Sequence, residues 1–207
     1  MKNGLFITFE GADGCGKTTQ IKLLTEYLQN KGYEVVLTRE PGSVGLGQKI
    51  RELLLNYDDE ISPVCESFLF LADRAQNVDI IVKRNIDKGR IVISDRHTDS
   101  SLAYQGYGRE LDVDRIDFLN NIATGGLKPD ITFVFDIDVE TSMERVGKNK
   151  DRMESAGREF FERVRQGYLK IAQKEPDRIK VIKAADSIEN IHSQVVKLFV
   201  ELEEKLS

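Results

Sequence analysis

Short apolar runs alternate along this chain with longer stretches in which apolar side chains recur every three or four positions. The short runs predict strands at residues 5–9, 34–38, 90–94, 131–136 and 179–182. The longer stretches predict helices at 17–31, 47–56, 63–88, 112–124, 139–146, 158–175 and 187–206. Strands alternating with helices in this way predict βαβ units, an α/β class and a parallel sheet covered on both faces. No internal repeat, low-complexity tract or interdomain linker interrupts the pattern, so residues 1–207 are expected to form a single domain.

In parallel sheets, ligands sit at the carboxyl ends of the strands. The chain places its chemically distinctive segments there. Gly11-Ala12-Asp13-Gly14-Cys15-Gly16-Lys17-Thr18 follows the first strand, Arg39-Glu40-Pro41-Gly42 the second and Asp95-Arg96-His97 the third. The first segment is a complete G-x-x-x-x-G-K-[ST] phosphate loop between a strand and a helix start. Its glycines let backbone N–H groups converge on an anion, and the helix N-terminus that takes in Thr18 and Thr19 adds partial positive charge. Lys17 is expected to reach the β- and γ-phosphates, and Thr18 to offer its hydroxyl to Mg²⁺. Asp95, ending an apolar run, reads either as a Walker B aspartate or as an N-cap for the next segment. Arg96 reads either as a bidentate phosphate partner or as a structural ion pair with Asp95 or Glu40.

Composition narrows the choice of partners. The 207 residues carry a formal net charge of −5, which argues against a general nucleic-acid binder. Cationic groups at a site must therefore be concentrated locally. The two cysteines, Cys15 and Cys65, form no disulfide framework or zinc pattern. No apolar run approaches the roughly 20 residues of a membrane span, and no signal peptide is expected, so the expected location is cytoplasmic. Residues 147–157 are polar, charged and bounded by glycines, which suits either a lid over a phosphate site or a solvated helix connection. A guanine-reading N-K-x-D motif is absent: Asn149-Lys150-Asp151-Arg152 has its aspartate one residue early and no preceding strand.

Together, these segments resemble thymidylate kinase, within the nucleoside-monophosphate kinase group. The likeness runs from Phe6 to about Ala185 and rests on motifs in a fixed order. After the phosphate loop and Arg39-Glu40-Pro41-Gly42 come Leu69-Phe70-Leu71-Ala72-Asp73-Arg74-Ala75-Gln76, then Asp95-Arg96-His97. Ser100-Ser101-Leu102-Ala103-Tyr104-Gln105-Gly106 and Asp151-Arg152-Met153-Glu154 complete the set. The resemblance implies a three-layer P-loop NTPase fold with a five-stranded parallel sheet and a lid. It also implies a homodimer, and phosphorylation of dTMP by ATP with Mg²⁺, feeding dTTP synthesis.

By the same resemblance, Phe70 stacks on thymine and Arg74 bonds its far carbonyl. Ser101 and Gln105 read the remaining polar edge, with Ser100 close by, and Tyr104 crowds the sugar C2′. Asp13 approaches the 3′-hydroxyl or the metal shell. Arg39 and Arg96 hold the dTMP phosphate, Glu40 and Asp95 support them, and Asp95 joins Thr18 at the metal. Gly14 stands where some members carry a catalytic arginine. The resemblance then assigns the catalytic cation to the lid, with Arg152 first and Lys148 and Lys150 as helpers. Arg145 is implied to stack on adenine, or else to be a helix-end charge. The chain departs from the family pattern at Ser43-Val44, where Gly-Thr is common, and at His97, where Tyr or Phe is common.

The bottom-up chemistry is compatible. Phe70 and Arg74 lie four residues apart, on one face of a predicted helix. A phosphate acceptor is already an anionic nucleophile, so no general base is required. Two other readings stay open from residues alone: a P-loop kinase for another small substrate, and a non-catalytic nucleotide-binding regulator.

Overall fold

In the computed structural model, which describes residues 4–147 and 151–206, β1 (Leu5–Glu10), β2 (Val35–Arg39), β3 (Ile91–Asp95), β4 (Ile131–Asp136) and β5 (Ile179–Lys183) form one sheet. All pairings are parallel and the order is β2-β3-β1-β4-β5. The register sets Phe9 and Arg39 on either side of Asp95. Three strands therefore end level, and the residues that follow them meet at one edge.

Period-2 alternation decides what each strand face buries. Ile7, Phe9, Ile93, Phe133 and Phe135 pack on α1 (Lys17–Asn30) and α9 (Ile188–Leu206) through Leu24, Leu28, Val195 and Phe199. The opposite face sends Phe6 and Val92 to Val82, and Val134 and Ile179 to α8 (Arg158–Lys174). This second face also carries polar residues. The hydroxyls of Thr8 and Thr132 share a 2.6 Å bond, and Glu10 is fully buried. Helices on both faces of five parallel strands give the three-layer α/β architecture read from the sequence.

The remaining helices include those that shape the crevice at the strand ends. These are α2 (Gly45–Asn56), α3 (Pro63–Asn77), α4 (Lys83–Ile86), α5 (Thr98–Ser101), α6 (Val113–Thr124) and α7 (Val139–Val146). Ser62 caps α3, its side chain accepting from the Cys65 amide. The single helix expected over 63–88 is interrupted by a π-helical turn, Val78–Val82, between α3 and α4. A second π-helical turn, Leu102–Gly108, continues α5 where no helix was expected. Two glycines and two tyrosines here, with the serines of α5, leave residues 98–108 with little intrinsic helix preference. Packing against α8 overrides that: a Cβ on Gly108 would stand 2.6 Å from the Phe160 ring, so backbone meets helix directly. Widened helical turns of this kind concentrate at functional sites.

Candidate active site

The phosphate loop closes on itself through Lys17. Its ammonium, buried at the head of α1, donates to the carbonyls of Gly11 at 3.0 Å and Ala12 at 2.9 Å. Cys15 is buried beside it, with Sγ 3.6 Å from the Lys17 Nζ, and fills the loop interior. Gly16 caps α1, and Thr18 and Thr19 are exposed in its first turn. Helix α7 braces the loop from outside: Ser142 Oγ donates to the Asp13 carbonyl at 2.6 Å, and Arg145 Nη1 to that of Gly14 at 3.3 Å. Gly14 has φ +73°, and a Cβ there would lie 2.8 Å from the Ser142 carbonyl oxygen. Position 14 therefore has no room for a side chain in this packing.

Arg96 joins this loop to the rest of the crevice. Its backbone has φ 72°, unusual for a side-chain-bearing residue and a mark of stored strain. The guanidinium donates to Asp13 at 2.8 Å, to the Gly11 carbonyl at 3.0 Å and to the Tyr104 hydroxyl at 3.2 Å. It also lies 4.9 Å from the centre of the Tyr104 ring. Burial pushes the Asp13 carboxyl up, but the charges of Arg96 and Lys17 outweigh it and hold the group down at about 2. Behind Arg96, Glu10 accepts from Ser100 Oγ, the Tyr168 hydroxyl and the His97 amide. Asp95 keeps one buried oxygen, Oδ1, without a partner among the described residues.

A cavity opens beside the loop, lined by both polar and apolar side chains. Phe70 and Arg74 of α3 form one wall, and Ser100, Ser101, Tyr104 and Gln105 another. Asp13, Glu40 and Arg96 line the end nearest the phosphate loop. Arg74 is almost fully buried and held on several sides. It donates to Glu40 at 2.8 Å, Ser101 Oγ at 2.8 Å, Asn120 Oδ1 at 2.6 Å and the His97 carbonyl at 2.7 Å. Glu40 also accepts from Asn77 and lies 3.0 Å from His97 Nδ1. Burial raises this carboxyl, but Arg74 and His97 overcome it and hold it at about 2. His97 is fully buried, with Phe6 edge-on at 4.9 Å, and packs rather than facing the cavity.

Other expected site residues lie elsewhere. The structure does not bring Arg152 to the phosphate loop. Its Nε donates to the Leu54 carbonyl at 2.8 Å and its Nη2 to Glu66 at 2.7 Å, because a buried carboxylate beneath it outcompetes the open loop. Its neighbours Asp151 and Met153 face the cavity instead. Arg39 is exposed at the end of β2 and is not part of the cavity lining. Ser101 Oγ is taken up by Arg74. Lys148 and Lys150 lie outside the described residues.

Comparison with known proteins bears directly on this site. A family model described as thymidylate kinase matches residues 9–195. A thymidylate kinase from Sulfurihydrogenibium sp. (strain YO3AOP1) is 48% identical over 194 residues, covering 93% of this chain and 95% of the relative. One from Fervidobacterium nodosum is 47% identical over 196 residues, covering 94% and 98%. The chain belongs to the thymidylate kinase family. The crystal structure of thymidylate kinase from Ehrlichia chaffeensis superimposes with a TM-score of 0.79 at 40% identity, covering 95% of this chain and 98% of that one.

Within this thymidylate kinase fold, sequence reasoning missed several contributors. Arg51 of α2 lines the cavity and donates to the Pro41 carbonyl at 3.0 Å. In the sequence it is one charge on an amphipathic helix, with nothing to mark it. Tyr168, from α8, bonds Ser100 and Glu10 and comes within 3.4 Å of Arg96. Glu66 accepts from Gln105, Arg109 and Arg152. A signal for Glu66 existed: it precedes Phe70 and Arg74 by four and eight residues, on the same helical face.

Proposed function

We propose that this chain transfers the γ-phosphoryl group of ATP to dTMP, giving ADP and dTDP and so feeding dTTP synthesis. The observation that supports this best is one cavity in which an aromatic face and directed polar groups adjoin a phosphate loop through the Asp13–Arg96 ion pair. Phe70 stacks on the base, and Arg74 and Gln105 contact its polar edge, with Ser100 and Ser101 beside them. Tyr104 takes the sugar face, and Asp13 sits near the 3′-hydroxyl. Arg96, joined by Arg51, holds the acceptor phosphate, with Glu40 and Asp95 as support. The residues from Gly11 to Thr19 cradle the ATP phosphates, and Arg145 stacks on adenine. Lys17 releases its loop carbonyls to follow the transferred charge.

Phosphoryl transfer depends on positioning and charge neutralisation, which this arrangement supplies. Mg²⁺ fits the chain: Asp95 Oδ1 is buried with no partner among the described residues, and Thr18 is exposed in the first turn of α1. Sites of this type hold the ion with few protein oxygens plus substrate phosphates. The ion would neutralise developing phosphate charge.

We further take the 207 residues as one cytoplasmic kinase domain, with residues 147–157 as its lid. It would work as a homodimer. Val64 and Phe68 of α3 and Phe118 and Ile122 of α6 are all more than half exposed, on helices that pack together. Apolar area of this kind suits a partner surface. Phe118→Glu should convert a dimer to a monomer in sedimentation equilibrium, whereas an unchanged mass would remove this face from the interface. No helix among the described residues is long and apolar enough to cross a membrane.

The reaction is tested by ADP release from ATP and Mg²⁺ with dTMP, dUMP, dCMP, dGMP, UMP or thymidine as acceptor. Strong preference for dTMP with thymidine inert is expected. ATP binding without turnover of any monophosphate would overturn the substrate assignment.

A further inference from the structure

Glu66 is fully buried, yet it is not among the residues that line the cavity. It lies behind Gln105 and ties three chain segments together. Its Oε1 accepts from Gln105 Nε2 at 2.9 Å and from Arg109 Nε at 3.2 Å. Its Oε2 accepts from Arg109 Nη2 at 3.1 Å and from Arg152 Nη2 at 2.7 Å. Burial raises this carboxyl, but bonds from Arg109 and Gln105 outweigh it, and it stays ionised.

An ionised carboxylate only accepts hydrogen bonds. Gln105 must therefore present its NH₂ to Glu66, and the amide cannot flip without setting oxygen against oxygen. Gln105 Oε1 is left as the other polar atom of a residue that lines the cavity, and no donor among the described residues is bonded to it. Arg74 contributes the complementary atom. A guanidinium has five N–H donors. Four are used, on Glu40, Ser101, Asn120 and the His97 carbonyl. The fifth, on Nη2, has no acceptor among the described residues, and Arg74 lines the cavity.

We propose that Glu66 is the specificity-positioning residue of this enzyme. By fixing the Gln105 amide it makes the wall present an acceptor next to the Arg74 donor, and so selects a pyrimidine edge with an imide N–H beside a carbonyl. Thymine and uracil carry that edge. Cytosine carries the reverse, a ring-nitrogen acceptor beside an amine. The inference rests on the dTMP-kinase reading and adds to it the residue that sets base choice without touching the base.

The test is Glu66→Gln, with kcat/KM measured for dTMP, dUMP and dCMP. In this variant the two bonds at the Oε2 position, from Arg109 Nη2 at 3.1 Å and Arg152 Nη2 at 2.7 Å, keep the position-66 carbonyl there, against the single longer bond from Arg109 Nε at 3.2 Å at the Oε1 position. Its new NH₂ then faces Gln105, which answers with its own oxygen and turns its NH₂ to the cavity. Discrimination of dTMP over dCMP should fall roughly tenfold to a hundredfold, while the dTMP to dUMP ratio stays at its wild-type value. Equal losses for all three acceptors, with the dCMP ratio unchanged, would mean a merely structural role and overturn the proposal.

Gln105→Met keeps Glu66 and both arginines in place, so it serves if the charge-removing variant does not fold. It should lose the same discrimination, and adding Glu66→Gln to it should change the ratio no further. Full discrimination in Gln105→Met overturns the proposal. A wild type that favours dCMP overturns both this inference and the reading beneath it. A wild type that favours dTMP with unmoved variant ratios overturns this inference alone.

Discussion

Arg74→Met tests whether α3 is held by charge as well as by apolar packing. Arg74 is 1% exposed and bonds Glu40, Ser101, Asn120 and the His97 carbonyl. Methionine fills much of the same volume and offers Glu40 nothing. The Glu40 carboxyl is held at about 2 against an ordinary 4.5, a depression equivalent to about 3 kcal/mol. His97 and Asn77 remain as partners, but an ion left short of charge in the interior costs about 3–5 kcal/mol. Urea unfolding at pH 7 should show a loss of that size, and melting should fall by roughly 10 °C for a chain of this length. The sign with pH is fixed. A carboxyl depressed in the folded state contributes stability above its unfolded value, and that contribution is lost as pH falls through the folded value. The gap between wild type and variant should therefore be full at pH 7 and shrink below about pH 4.5. A gap under about 1 kcal/mol, or one constant from pH 7 to pH 3, would refute the reasoning.

Other perturbations separate roles along the crevice. Lys17→Ala should lower kcat by roughly a thousandfold, through lost stabilisation of transferring charge, with the fold intact by circular dichroism. A variant within tenfold of wild type would remove Lys17 from the chemistry. Arg51→Leu should raise the KM for dTMP roughly tenfold with a smaller effect on kcat, and an unchanged KM would place Arg51 outside the acceptor site. Arg152→Ala should act mainly on KM, because its guanidinium holds Glu66 and the Leu54 carbonyl. A collapse of kcat at constant KM would restore Arg152 as the catalytic cation.

The sheet was legible because each strand is a short apolar run, the first three ended by a distinctive motif, and all five were placed to within a residue or so. The helix at residues 98–108 was not legible, because its glycines and serines argue against helix and only the α8 contact at Gly108 explains it. At the site, the spacing of Phe70 and Arg74 was enough to put both on one wall. The competition for Arg152 could not be read from its motif. It is decided by Glu66, 86 residues away in sequence. The same holds for Ser101, whose hydroxyl goes to Arg74. Local motifs reveal which groups are available; long-range pairing decides which of them stay free.

Two buried carboxylates near the acceptor site are opposite in character, and this leads to a contrast that can be measured. Glu40 is ionised and held by Arg74 and His97. Glu10 is pushed up to about 7, first by burial and then by the charge of Asp99, which the bonds from Ser100 and Tyr168 and the charge of Arg96 only partly offset. A carboxyl raised on folding costs stability once pH exceeds its unfolded value, and the cost levels off above its folded value. Glu10→Gln removes that cost. The Ser100 and Tyr168 hydroxyls that now donate to Oε2 can rotate to accept from an amide, and the His97 amide keeps its acceptor on Oε1. Glu10→Gln should therefore be neutral or stabilising at pH 8, and the gain should vanish as pH falls toward about 4.5. Glu40→Gln should be strongly destabilising at pH 8, because it leaves Arg74 as the uncompensated buried charge. Chemical denaturation of both variants at pH 5 and pH 8 decides the matter. If the two lose stability equally at pH 8, the difference in charge state between these neighbouring carboxylates is not real.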